Sequence, residues 1–245
     1  MKRINFLGSP MDVASMSETV ALIRDRILRQ EFTQHVVVNV AKLVNMRKDS
    51  ELAQSVTECD IINIDGMGVV WGARFLGHQV PERVAGVDLF LELNAMAAQE
   101  QMPVFYLGAK SEIVEKTAAA MQAKHPQLVI AGYHHGYFWD DEHAIVEKIR
   151  QSGAKLLFVA ITSPKKENFI NRWQEQLGVL FVMGVGGTFD VVAGHVSRAP
   201  LWMQKSGLEW LYRVLQEPGR MWKRYLVTNS RYAWLLLNEK IKRKN

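Results

Sequence analysis

The sequence predicts an α/β fold, a mostly parallel sheet wound by helices, followed by a C-terminal helical appendage. Six short apolar runs are continuous rather than alternating, the pattern of strands buried on both faces. Helical patterns separate those runs, the order expected of a wound parallel sheet. The third observation is a break in composition after residue 195, where an acidic chain becomes a basic, aromatic one.

The elements follow in chain order. Ser17–Arg29 reads as the first helix and His35–Val40 as the first strand. A helix over Ala41–Thr57 leads to a strand at Asp60–Ile64, with a further helix beginning near Met67. The helix Val87–Gln99 precedes the strand Val104–Leu107, and Ser111–Lys124 precedes Leu128–Ala131. Asp140–Gln151 then leads to the strand Leu156–Ile161, and Pro164–Gln176 to Val179–Met183. In open sheets of this kind ligands bind beyond the carboxyl ends of the strands. That rule selects Asn39, Asp65-Gly66, Gly108-Ala109, His134-His135-Gly136, Thr162-Ser163-Pro164 and the glycine-dense turn Gly184–Gly187. In the last of these, backbone N–H groups and a following helix N-terminus can face an anion.

At 245 residues and 48% hydrophobic, the chain can bury one good core. The expected division is a catalytic domain over 1–195 and an appendage over 196–245. There is no run of 18 or more apolar residues and no signal pattern at Met1-Lys2-Arg3, so a cytoplasmic protein is expected, touching a membrane only from that side. The single cysteine, Cys59, has no intrachain partner and reads as a small buried residue.

Charge separates the two parts. Residues 1–195 hold 19 Lys and Arg against 22 Asp and Glu, whereas residues 196–245 hold 11 against 3. The tail also carries Trp202, Trp210, Trp222 and Trp234 with Tyr212, Tyr225 and Tyr232. Cations interleaved with aromatics suit an amphipathic helix on an anionic membrane. A solvated helix pair packed on the core and a nucleic-acid surface are the other readings of the same composition.

Among candidate chemical groups, Asp65 stands at a crevice mouth where a general base belongs, or else caps the helix that starts near Met67. Arg83 precedes a helix start and suits a diphosphate or a sugar hydroxyl, or else pairs locally with Glu82 or Asp88. His134, His135, His143 and His195 lack metal-ligand spacing, and no Asp-x-Asp occurs. Asp140-Asp141-Glu142 reads as first-turn acidity. There is no Gly-x-Ser-x-Gly, no P-loop and no Gly-x-Gly-x-x-Gly after the first strand. An anion held by N–H groups and side-chain cations, with no metal and no cofactor, is the remaining expectation.

Five blocks carry a resemblance: Val84–Leu89, Ser163–Glu167, Gly184–Asp190, Gly194–Pro200 and Gly207–Arg213. In this order, from about Val36 to Tyr225, the chain resembles the WecG/TagA/CpsF family of bacterial glycosyltransferases. The resemblance implies a Rossmann-like core and inverting transfer from a UDP-sugar donor, often of N-acetylmannosamine or its uronic acid. The implied acceptor is a polyprenyl-diphosphate-linked sugar, undecaprenol being the lipid, and the implied pathway is cell-surface polysaccharide assembly. It further implies an appendage docked on the anionic inner leaflet of the cell membrane, and no nucleic-acid partner; a homo-oligomer is left open. By the same resemblance Asp65 is the base, Arg83 lies near the diphosphate or acceptor, and Asn39 completes the catalytic group. Gly108, Lys166, Gly184, Gly186, Gly187, Thr188 and Asp190 are expected around the UDP-sugar, and Arg213, Arg220 and Arg224 at the lipid phosphates. The Pro218-Gly219 pair is expected to bend the tail between the last arginines.

One block departs from the family pattern Gly-x-Pro-x-Gln-Glu. Here it reads Thr162-Ser163-Pro164-Lys165-Lys166-Glu167. An ammonium only donates where a glutamine amide also accepts. The departure implies a carboxylated sugar or a different hexose, unless Lys166 simply faces solvent. The competing reading from another class is a non-catalytic nucleotide-sugar or nucleic-acid binding module with a basic tail.

Overall fold

The computed structural model describes residues 1–243, except for the side chains at positions 220 and 224. It opens with a hairpin that the sequence reading does not contain, β1 (Lys2–Phe6) and β2 (Ser9–Val13). Leu7 and Gly8 both take positive φ in the two-residue turn, which matches the twist of paired strands. The hairpin lacks a long apolar run; Ile4, Phe6 and Met11 bury on one side of it, and polar contacts tie it to β4. Both oxygens of Asp12 accept from the Arg3 guanidinium at 2.8 Å, and one also accepts from the Ile62 N–H.

The helix α1 (Met16–Leu28) starts at a capping box between Ser15 and Glu18 and leads into β3 (Thr33–Val38). The single helix expected over 41–57 is two, α2 (Val40–Met46) and α3 (Ser50–Thr57). Asp49 divides them: its carboxylate accepts from the Leu52 N–H and starts α3. Next come β4 (Ile61–Ile64), α4 (Met67–Phe75), α5 (Gly86–Gln99), β5 (Val104–Gly108) and α6 (Ser111–Lys124). The strand expected at 128–131 runs instead over Ile130–His134 (β6), because Leu128 turns into the core before the strand pairs. There follow α7 (Glu142–Gln151), β7 (Leu156–Ala160), α8 (Lys165–Trp173), β8 (Phe181–Gly184) and the short α9 (Thr188–Val192). The tail forms α10 (Leu201–Lys205), α11 (Glu209–Gln216) and α12 (Pro218–Lys242). Its bend falls at Pro218, as expected.

The sheet order is β1-β2-β4-β3-β8-β7-β5-β6, parallel from β2 onward. Each central strand sends alternate apolar side chains to opposite faces. Val104 and Tyr106 pack with Phe90, Phe158 and Phe189 on one side, while Phe105 and Leu107 pack with Phe169 and Trp173 on the other. That partition is why the runs read as continuous. A third cluster joins the hairpin, α2, α3 and α4, and Tyr232 of α12 belongs to it.

Beneath the carboxyl ends of β3, β7 and β8 lies a buried charge cluster. Lys42, in the first turn of α2, sends its Nζ to Glu167 Oε1 at 2.8 Å and to the Val37 carbonyl at 2.8 Å. Lys166 reaches the same carboxylate oxygen at 2.5 Å, and Gly184 lies against the Lys166 stem, where a Cβ would come within 2.8 Å. Lys166 is therefore buried, not solvent-facing. Burial pushes the Glu167 pKa up, but the two ammoniums outweigh it and hold it at about 2.

A carboxylate with a depressed pKa stabilises the fold above its unfolded value and loses that contribution as pH falls through the folded one. Glu167 should therefore add stability at neutral pH that fades as pH falls from about 4.5 toward 2. Glu167→Gln, which leaves two buried ammoniums without a counter-charge, should cost about 3–5 kcal/mol at neutral pH. Denaturant unfolding of both proteins across pH 2–7 checks this, and equal stability at pH 7 contradicts it.

Candidate active site

The carboxyl ends of β3 and β4 open into a cavity of about 320 Å³ whose far wall is the tail. Asn39 ends β3 and caps α2, its Oδ1 accepting from the Lys42 N–H at 3.0 Å. Asp65 follows β4, and its own N–H still bonds the Val38 carbonyl, so the residue is fixed by the last rung of the ladder. Gly66, with φ at 93°, turns the chain sharply into α4. No side chain caps α4, so the capping role considered for Asp65 is not the one it plays. Its carboxylate has no hydrogen-bond partner among the described residues.

Arg83 is brought beside Asp65 by backbone pairing. The Val84 N–H donates to the Ile64 carbonyl at 2.8 Å, which lays the loop before α5 along the end of β4. The local partners considered for Arg83 are engaged elsewhere: Glu82 accepts from the Met16 N–H, and Asp88 is clamped by Arg198. Arg83 pairs across the cavity instead, with Glu209 of α11 at 2.8 Å. Arg213, one turn further along α11, lies 3.9 Å from the same carboxylate and also lines the cavity.

This environment tunes Asp65. Desolvation pushes its pKa up from the usual aspartate range, and the Glu209 charge adds to that; Arg83, Arg213 and Lys42 pull the other way and lose. A carboxylate with raised proton affinity, free of partners and facing a cavity, can accept a proton from an incoming hydroxyl.

The cavity thus unites Asn39, Asp65, Arg83 and Arg213. The residues expected around a nucleotide stand elsewhere. Gly108 packs β5 against β7, where a Cβ would come within 2.3 Å of the Ala160 carbonyl oxygen. Lys166 and Gly184 belong to the buried charge cluster. Gly186 and Gly187 leave β8 in a turn, with open space at Gly186 and the Asp190 carboxylate 4.0 Å from where a Cβ at Gly187 would lie; Thr188 Oγ1 donates to the Val185 carbonyl at 2.7 Å, and Asp190 is partly exposed on α9. Arg220 and Arg224 lie outside the described side chains. Among the described residues no group of three or more His, Cys, Asp or Glu side chains is arranged to hold a metal ion.

Sequence reasoning missed Glu209, although it quoted the block that contains it. The available signal was its isolation as one of three acids in a tail of eleven cations. Two glycines let the tail approach α4: a Cβ at Gly207 would come within 2.5 Å of Trp71, and one at Gly72 within 2.0 Å of the Tyr232 hydroxyl. That hydroxyl donates to the Gly68 carbonyl at 2.9 Å.

A family model described as "Glycosyl transferase WecG/TagA/CpsF family" matches residues 4–245. The chain is also similar to an N-acetylglucosaminyldiphosphoundecaprenol N-acetyl-beta-D-mannosaminyltransferase of Bacillus subtilis (strain 168). The two are 34% identical over 197 residues, which is 80% of this chain and 76% of the relative.

Because the wall of the cavity depends on the seat of Tyr232, Gly72→Ala should force α12 away from α4. Overpacking of this kind costs roughly 1–3 kcal/mol, and the tail should become cleavable earlier in limited proteolysis between residues 196 and 210. An unchanged melt with an unchanged cleavage pattern would show that α12 is not seated there.

Proposed function

Since the chain belongs to the WecG/TagA/CpsF family and is a glycosyltransferase, we propose that its cavity transfers a sugar from a UDP donor to a sugar carried on a polyprenyl diphosphate, with inversion. The single observation that carries the assignment of roles is the partnerless Asp65 carboxylate facing two guanidiniums, one from the core and one from the tail. In a direct displacement, Asp65 takes the proton of the acceptor hydroxyl as its oxygen attacks the anomeric carbon. The sugar–phosphate bond breaks on the opposite face and UDP leaves with the electron pair. Arg83 and Arg213 supply positive charge for a diphosphate, and within the Gly184–Thr188 turn the Gly186 and Gly187 N–H groups serve the nucleotide side, those of Val185 and Thr188 being bonded within the fold. The Lys166 ammonium is bound to Glu167, so it gives no ground for preferring a carboxylated sugar. N-acetylmannosamine, the sugar in the relative's name, is the donor we favour.

The tail supports docking on a membrane surface. No helix among the described residues is long and apolar enough to cross a membrane. On α12, Met221, Thr228 and Tyr232 are buried, whereas Trp222, Leu226, Val227, Trp234, Leu237 and Ile241 are exposed. At 100° per residue the exposed set falls within an arc of roughly 140°, separate from the buried one. Trp202 of α10 is exposed as well. An apolar stripe on a basic helix suits the boundary of an anionic bilayer, and we place the protein on the cytoplasmic face.

Asp65→Asn should keep UDP affinity and lose turnover by on the order of 10²-fold or more, measured by calorimetry and single-turnover transfer. The acid limb of kcat/KM in the wild type should lie above 3.8, the ordinary aspartate value, because the raised pKa keeps the base protonated to higher pH. Near-normal turnover in folded Asp65→Asn would remove the base from this residue.

The membrane role has its own check. A Trp202→Ser, Trp222→Ser, Trp234→Ser variant should bind anionic vesicles at least about tenfold more weakly, with its melt and its transfer to a water-soluble acceptor unchanged. Undiminished flotation would leave the stripe without that role.

A further inference from the structure

Glu209 is an anion in a cavity otherwise equipped to receive one. It begins α11, and its Oε2 accepts from Arg83 at 2.8 Å. Its Oε1 lies 3.9 Å from Arg213 Nη2 and 4.0 Å from Arg198 Nε. Both distances are within ion-pair range; neither is a hydrogen bond. Arg198 uses its two terminal nitrogens to clamp Asp88, and its Nε is a buried donor with no partner. Buried unpaired donors are costly, more so when charged. One carboxylate therefore has two seats within a short swing, a hydrogen-bonded one on Arg83 and a looser one on Arg198, whose Nε it approaches without a hydrogen bond.

An incoming diphosphate needs Arg83 and Arg213 and repels a carboxylate already resting on them. We propose that Glu209 is a positioning residue that serves as a resident counter-anion. It holds Arg83 and Arg213 in the ligand-free cavity and yields them to a substrate diphosphate by shifting to the Arg198 Nε. The start of a helix favours a carboxylate in either seat, so the shift needs no large rearrangement of α11. This inference rests on the glycosyltransferase reading of the cavity, and the diphosphate can be that of the donor or of the lipid acceptor.

The test measures UDP and geranyl diphosphate binding to wild type and Glu209→Gln by calorimetry. Removing the competing charge should tighten binding by on the order of tenfold. The gain should appear for UDP if the donor uses this seat and for geranyl diphosphate if the acceptor does. The acid limb assigned to Asp65 should also move to lower pH. Its negative neighbour is then gone, while Arg83, Arg213, Arg198 and Lys42 remain. That shift follows from the loss of charge alone; a merely structural Glu209 would not tighten ligand binding when it is neutralised. Unchanged or weaker binding of both ligands overturns the proposal while leaving the glycosyltransferase reading intact; a wild type that binds neither overturns both. Should Glu209→Gln fail to fold, hydrogen exchange on the wild type decides. Saturating ligand should speed exchange of the amides at 210–213 as the tie to Arg83 is released, and unchanged or added protection there overturns the proposal.

Discussion

A parallel sheet sealed by apolar side chains on both faces leaves only its strand ends for polar chemistry. In this protein the alternation of Val104 and Tyr106 with Phe105 and Leu107 commits both faces to packing, and the polar residues that do chemistry follow from that constraint. Asn39 and Asp65 stand where β3 and β4 stop, Asp65 held by a backbone bond that continues the ladder and Asn39 by its cap on α2. The same constraint makes the site incomplete on its own, because a row of strand ends is a ledge. The tail supplies the missing wall, seated on α4 where Gly72 and Gly207 carry no side chain.

Two charge groups divide the work at that edge. The Lys42–Glu167–Lys166 cluster is buried and tightly paired, and it ties the starts of α2 and α8 together beneath the turn that leaves β8. Removing one partner of such a cluster leaves a buried charge uncompensated, so it fixes how α2 and α8 meet. The second group, Arg83, Arg198, Arg213 and Glu209, is only partly covered and not fully satisfied. Arginine suits that place, since its planar fork can hold a carboxylate and then a phosphate with the same nitrogens.

Much of the fold was legible because period and apolarity report burial directly. Six strands and their intervening helices were readable, while the β1–β2 hairpin was not, since its buried residues Ile4, Phe6 and Met11 are interspersed with polar ones and form no continuous apolar run. The split of the helix after β3 turned on one capping aspartate, Asp49, inside an otherwise helical stretch. Of the site, Asp65, Arg83 and Asn39 could be read from strand ends and from the resemblance of motif blocks. The burial of Lys166 could not: a lysine in a first turn reads alike whether a carboxylate waits beneath it or water does.

By itself the sequence determined a wound parallel sheet, the strand ends at which polar residues collect, and a tail of opposite charge, because each is a local property of composition and period. Only the tertiary structure decided that Arg83 faces Glu209, 126 residues away, rather than Glu82 or Asp88 beside it. Pairing between distant charges depends on which surfaces pack. Here the packing is set by two glycines and a tyrosine that seat the tail on α4.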